Sequence, residues 1–226
     1  MDLETLLWSV KNNLSYPVSK KKEKEEINRI IEAIQTVDRI YFVENREDAY
    51  YDTALSIGYN QTISQPSTVA RMLMLAKLEK GQNLLELGAG SGWNACLAGF
   101  IIYPGRVLSL DIVPQLIDKA RANLNTLKKS LDPHNQKKMS KVEFRFLNIF
   151  KELGSWPEKY DRIIITAGIN ETQEDTIFQL AEKILEEQGI LVCPYTQGPL
   201  IILKKINGRI VKNTTRELYV FVPLFD

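Results

Sequence analysis

At 226 residues, with 44% hydrophobic and 25% charged content, the chain can bury a full core without disulfide or metal staples. A balance of 29 Lys and Arg against 28 Asp and Glu leaves a net charge of +1, which excludes a global basic field for nucleic acid or an anionic membrane. Cys96 and Cys193 lie in apolar stretches and are too few for a disulfide framework, no stretch approaches the roughly 18 apolar residues of a membrane span, and the N-terminus has no basic region leading into an apolar one. The expected address is the cytoplasm, with neither nucleic acid nor membrane as partner, and the chain is expected to be a monomer.

Leu3, Leu6, Leu7, Val10 and Leu14 recur at helical spacing, as do Ile27, Ile30, Ile31 and Ile34 after the charged run Lys20 to Glu26, so two amphipathic helices precede the core. Residues 38 to 65 show no clean period and read as an extended loop, and a loop of that length inside a compact domain usually carries function. From Pro66 the pattern becomes regular: a helix over Val69, Met72, Leu73 and Ala76, a strand at Asn83 to Leu87, a glycine turn, and a helix from Trp93 to Phe100. A strand at Arg106 to Asp111 and a helix opened by Pro114 follow, then a polar loop from Lys128 to Lys141. Val142 to Leu147, Asp161 to Thr166 and Gly189 to Cys193 read as three more strands, with a helix over Thr172 to Leu185. Apolar strands alternating with helices indicate a parallel sheet covered on both faces. Leu200 to Ile206, Asn207-Gly208, Ile210 onward and Glu217 to Leu224 suggest an antiparallel hairpin closing that sheet. The chain divides into a helical extension and active-site loop over 1–65 and an α/β domain over 66–226.

The strongest local signal is the apolar strand Leu84-Leu85-Glu86-Leu87 running into Gly88-Ala89-Gly90-Ser91-Gly92. Glycines there let the backbone turn sharply and let a ligand approach it closely. Asp111 ends the next strand about 20 positions beyond the last glycine, where a carboxylate reaches ribose hydroxyls. Dinucleotide-binding turns follow G-x-G-x-x-G, but the sixth position here is Trp93. The spacing Glu86-x-Gly88-x-Gly90-x-Gly92 is instead similar to the first motif of S-adenosylmethionine-dependent methyltransferases, which implies a Rossmann-like three-layer sandwich with a mostly parallel seven-stranded sheet.

Upstream stand Val37-Asp38-Arg39, Tyr51-Asp52, and Ser56-Ile57-Gly58-Tyr59-Asn60-Gln61-Thr62-Ile63-Ser64-Gln65-Pro66. These, with Tyr160 to Ile164, Thr166-Ala167, Gly189 to Pro194 and Phe221-Val222-Pro223-Leu224, resemble the protein-L-isoaspartate O-methyltransferases over residues 37 to 226; Gln61 to Pro66 is the most specific part. The resemblance implies methylation by S-adenosyl-L-methionine of the free carboxylate of L-isoaspartyl residues in damaged proteins and peptides, giving an ester that closes to a succinimide. Such a carboxylate is ionised at neutral pH and needs no general base, so the single histidine, His134 in a polar loop, is expected to take no part, and no metal is expected.

By the family's pattern Ser64 is the active-site hydroxyl, orienting the substrate carboxylate rather than attacking it. Thr62, Ile63 and Gln65 would lie over the cofactor. Glu86, Gly88, Gly90 and Gly92 would border its methionine end, Asp111 and Ile112 its ribose, and Asn148 and Ile149 its adenine. Family members often carry Gly at position 60, a larger aromatic or His at 67, and Asp-Gly at 148–149, so Asn60, Ser67, Asn148 and Ile149 are departures that bear on peptide specificity and activity. The alternatives are a methyltransferase for RNA or a small molecule, and a non-catalytic adaptor that keeps the fold.

Overall fold

Two helices, α1 (Leu3–Ser15) and α2 (Lys21–Thr36), open the computed structural model, which describes residues 1–15 and 21–224. Lys20, at the head of the charged run, and residues 225–226 lie outside the described residues. A hairpin, β1 (Leu55–Gly58) and β2 (Gln61–Ile63), leads into α3 (Pro66–Ala76), β3 (Asn83–Leu87), α4 (Trp93–Ile102) and β4 (Arg106–Asp111). Then come α5 (Pro114–Ser130), α6 (Pro133–Met139), β5 (Val142–Phe146), α7 (Ile149–Glu152), β6 (Tyr160–Ile165) and α8 (Glu174–Ile184). The chain ends with β7 (Leu185–Pro194), β8 (Gln197–Gly198), β9 (Leu200–Ile206), β10 (Arg209–Thr214) and β11 (Tyr219–Val220).

Seven strands form one sheet in the order β10-β9-β7-β6-β3-β4-β5. The five from β7 to β5 are mutually parallel, and β9 and β10 join antiparallel, so the Rossmann-like sheet with its antiparallel C-terminal hairpin is present as expected. The two-residue period of the strands divides the core. Leu84, Val107, Ile164, Ile190 and Val192 pack with α1 to α5 on one face. Leu85, Leu87, Leu108, Leu110, Ile163, Ile165 and Leu191 pack with α8 on the other. Both faces are covered, which is why these strands read as unbroken apolar runs. Because the chain moves from β3 outward to β4 and β5 and then crosses back to β6, the order reverses between β3 and β6, and a crevice opens at the carboxyl ends of those strands.

Three expectations are corrected. Lys128 to Lys141 is not a loop: α5 runs on to Ser130, and Asp132 caps α6 by accepting from the backbone N–H groups of His134 and Asn135, with Pro133 at the first helical position. Glu217 to Leu224 does not join the closing sheet. Only Tyr219–Val220 is a strand, paired with β8 in a separate two-stranded sheet, and beyond it Gly168 N–H donates to Val222 O while Leu224 N–H donates to Gly168 O, drawing the tail across the crevice end of β6. Pro223 has no N–H with which to continue a ladder.

The third correction lies in residues 38 to 65, where two 3-10 turns (Arg39–Tyr41 and Arg46–Asp48) precede the β1–β2 hairpin. Tyr59 and Asn60 form its two-residue loop, both at φ 56°, the left-handed pair of a type I′ turn. Asn and Gly are the residues that enter this region most readily, so the departure at Asn60 answers a backbone demand also met by glycine. Asn60→Gly is therefore expected to change stability by no more than about 1 kcal/mol, as read by thermal denaturation; a loss of several kcal/mol would show that the Asn60 side chain does more than close the turn.

Candidate active site

The backbone after β3 is tied to its neighbours by hydrogen bonds within the protein. Gly88 and Ala89 N–H donate to Leu110 O, and Thr166, just past β6, donates from its N–H to Leu87 O and from its hydroxyl to Gly88 O at 2.6 Å. Gly88 has φ +99°, and a Cβ built on it would stand 2.4 Å from Thr166 Oγ1. Only glycine allows this turn to lie against Thr166. Asp111, at the end of β4, accepts from Gly90 N–H through Oδ2 and from Val113 N–H through Oδ1, both at 3.0 Å. Burial raises its pKa from the usual carboxylate range, opposed by those backbone donors.

Glu86 is fully buried one strand over. In the parallel register it stands beside Ser109, whose hydroxyl donates to Oε2, while Asn94 Nδ2 of α4 donates to Oε1 at 2.7 Å. Burial pushes the Glu86 carboxyl up to about 7, with the nearby Asp111 charge acting in the same direction and the two hydrogen bonds against it. Asn94 Oδ1 is buried and makes no hydrogen bond.

Across this turn lies the chain from Asp38 to Pro66, organised by one residue that motif spacing does not single out. Arg39 is fully buried: Nη1 donates to the carbonyls of Ala49 and Tyr51, and Nη2 to those of Thr53 and Ser64, at 2.9–3.1 Å. Its guanidinium stands 5.4 Å from the centroid of the Trp93 ring, and Trp93 Nε1–H donates to Val37 O. Burial lowers the guanidinium to about 10, with Asp52 pulling the other way, so it stays charged at neutral pH. Asp52 in turn accepts from the N–H and hydroxyl of Ser67, capping the start of α3 from a distance. The departure at Ser67 thus gives α3 a hydroxyl partner for Asp52.

These elements line a cleft of about 600 Å³ that is open to solvent. Thr62, Ile63, Ser64, Glu86, Gly88, Gly90 and Asp111 all line it, joined by Asn94, Thr166 and Val222. A second cavity of about 520 Å³ adjoins it at Gln61, Gly88, Asp111 and Ala167, and is lined by Ile112, Asn148 and Ile149. Two expected residues lie elsewhere. Gly92 caps α4 behind the turn, where a Cβ would come 2.8 Å from Phe144 Cζ and 3.1 Å from Ala120 Cβ, so its missing side chain serves helix packing. Gln65 lines the adjoining groove beside Thr62 and Ser64 and donates from Nε2 to Ser67 Oγ. His134 is exposed on α6 and lines neither cavity.

Asn148 uses its Oδ1 to cap α7, accepting from Phe150 N–H at 3.0 Å, which leaves its amide N–H groups for a ligand. Ile149 is 2% exposed and packs with Leu85, Leu108 and Leu110, so much of its bulk enters the core. The adjoining cavities present groups that a nucleoside carrying an amino-acid tail could use. The bare backbone at Gly88 and the carboxylate of Asp111 suit the sugar, and the unpaired Asn94 Oδ1 beside Glu86 suits an N–H donor. Arg39, Asn94, Thr166 and Val222 are additions to the expected set; for Thr166 the signal was its place at the carboxyl end of an apolar strand.

The family model for protein-L-isoaspartate(D-aspartate) O-methyltransferase matches residues 12–226. A protein-L-isoaspartate O-methyltransferase of Pyrococcus abyssi is 34% identical over 216 residues, covering 89% of this chain and 90% of that one. One of Ignicoccus hospitalis is 32% identical over 229 residues, covering 96% and 95%. In fold, the chain matches a solved Plasmodium falciparum structure described as a putative enzyme of this kind in complex with S-adenosyl-L-homocysteine, with a TM-score of 0.74, 22% identity and coverage of 100% and 99%. From the family match and the near full-length relatives, the chain belongs to the protein-L-isoaspartate(D-aspartate) O-methyltransferase family.

Proposed function

We propose that this enzyme methylates the free carboxylate of L-isoaspartyl residues in proteins and peptides with S-adenosylmethionine as donor, and that Ser64 orients the acceptor. The observation that carries the residue assignment is the position of Ser64 at a junction. Ser64, Thr62, Thr166 and Val222 line both the cleft with Glu86 and Asp111 and a groove of about 710 Å³ bounded by Ala54, Thr68 and Leu218 to Phe221. A peptide lying in that groove presents its carboxylate at Ser64, next to the cleft.

When bound, S-adenosylmethionine supplies an electrophilic methyl group on a sulfonium. The protein's task is alignment and exclusion of water. Asp111 and Ile112 hold the ribose, Asn148 and Ile149 the adenine, and Glu86 with Asn94 the amino-acid end. Thr62 and Ile63, on β2, cover the ligand, and the Ser64 hydroxyl donates a hydrogen bond to one oxygen of the acceptor carboxylate, leaving the other free to react. The acceptor is already ionised, so no side chain has to remove a proton.

The test is transfer of labelled methyl to an isoaspartyl peptide, with the aspartyl isomer as control. Base-labile ester on the isoaspartyl peptide alone is expected, and no ester on it would refute the proposed function. Ser64→Ala is expected to lower turnover about 10- to 100-fold, the worth of one hydrogen bond to a charged group, with S-adenosylhomocysteine affinity kept within about threefold. Unchanged turnover would remove Ser64 from the catalytic role.

A further inference from the structure

We propose that Arg71, with the hydroxyl of Tyr219 beside it, forms a subsite for an acidic side chain of the substrate peptide roughly three residues from the isoaspartate. In the structure Glu217 stands where that acidic side chain would dock. The inference rests on the peptide groove proposed above and adds a sequence preference to it.

The groove beside Ser64 does not stop at Phe221. Gln65, Thr68, Leu218 and Tyr219 also line a second groove of about 710 Å³, which continues past Leu14 of α1 to Arg71 and Glu217. Thr68 and Arg71 stand one turn apart on one face of α3. From Ser64 the chain enters that helix and rises about 1.5 Å per residue, so Arg71 lies roughly 10 Å along the groove, the span of three residues of an extended peptide. Among the described residues lining the two grooves, Arg71 and Glu217 are the only charged ones.

Arg71 Nη2 donates to Glu217 Oε1 at 3.3 Å, and the two side chains are 30% and 54% exposed. A single bond of that length between exposed groups contributes little, so another carboxylate can replace it at small cost. The two partners differ in how they are held. Arg71 is fixed on α3, whereas Glu217 lies on the bend between β10 and β11 and can swing out. A guanidinium fork offers an incoming carboxylate two parallel donors. Burial raises the pKa of the Tyr219 hydroxyl, with Glu217 acting in the same direction and Arg71 against them, so at neutral pH it is an O–H donor next to the guanidinium. Leu218 and Val220, 77% and 80% exposed, line the outer wall, and a peptide lying over them excludes water and strengthens the new ion pair.

The test is steady-state kinetics with isoaspartyl peptides that carry Glu, Gln or Lys three residues before or after the isoaspartate. On one of the two sides the Glu peptide is expected to have a KM about three- to tenfold below that of the Gln peptide, and the Lys peptide a KM above it, with kcat alike. Arg71→Met is expected to abolish this ranking. Glu217→Gln, which removes the competing carboxylate, is expected to lower KM for the Glu peptide further. If Arg71→Met does not fold, Glu217→Gln and the native series decide. Equal KM values for the Glu and Gln peptides at both positions, or a ranking that survives Arg71→Met, would overturn the subsite while leaving the isoaspartyl activity intact. Absence of transfer to every peptide would overturn the acceptor reading, and the subsite with it.

Discussion

Arg39→Lys is expected to lower the melting temperature by roughly 6–12 °C and kcat/KM for an isoaspartyl peptide by at least about tenfold. The reason is geometric. The guanidinium fork sends two donors each way, to Ala49 and Tyr51 on one side and to Thr53 and Ser64 on the other, and an ammonium at the end of a lysine offers three donors on a single atom. At least one carbonyl is left without its donor, and each partly buried acceptor so orphaned costs about 1–3 kcal/mol. The contact with Trp93 is weakened as well, although the positive charge is retained. Because one of the lost bonds holds the backbone of Ser64, the kinetic loss should fall on the peptide reaction more than on S-adenosylhomocysteine affinity. Circular dichroism melts and steady-state kinetics check both parts. A melting temperature within 2 °C of the parent would mean that the loop from Asp38 to Ser64 is held by packing, with Arg39 incidental.

Arg39 also shows what sequence reasoning can reach here. The strands over 83–87 and 106–111 were legible because burial on both faces forces unbroken apolar runs, and Glu86 and Asp111 because a motif fixes their place at strand ends. The role of Arg39 was not legible, since its four partners are main-chain carbonyls whose convergence depends on the path of the loop. The hairpin over 55–63 escaped notice because its turn places Tyr59, a residue with no preference for the left-handed region, at φ 56°. Helix α6 was hidden for another reason: Met139 is its only buried residue, so it has no apolar period. Gly92 marks the limit of motif spacing. Its position in the glycine pattern suggested ligand contact, whereas Phe144 and Ala120 behind it are what exclude a side chain.

Asp111→Ala is the substitution expected to reach furthest into the cleft. One carboxylate oxygen accepts from Gly90 N–H and the other from Val113 N–H, each with lone pairs to spare for ribose hydroxyls. Alanine would remove the proposed sugar contacts and also free the glycine turn, so two losses would add. Hydrogen bonds to a charged group are worth about 1.5–3 kcal/mol each, and two of them near the low end of that range, about 3–4 kcal/mol together, amount to roughly 10²- to 10³-fold in the dissociation constant for S-adenosylhomocysteine. Asp111→Asn keeps one acceptor oxygen and the shape of the side chain, and should lose only about tenfold. The charged form is the better acceptor, and burial raises the Asp111 pKa, so a smaller fraction is ionised in mildly acidic solution than for an exposed aspartate. Affinity should therefore fall as pH is lowered, and that fall should be shallower in Asp111→Asn, which has no proton to take up there. Calorimetric titration at several pH values measures all three quantities; an alanine variant that binds within threefold of the parent would show that the ribose is held by backbone alone.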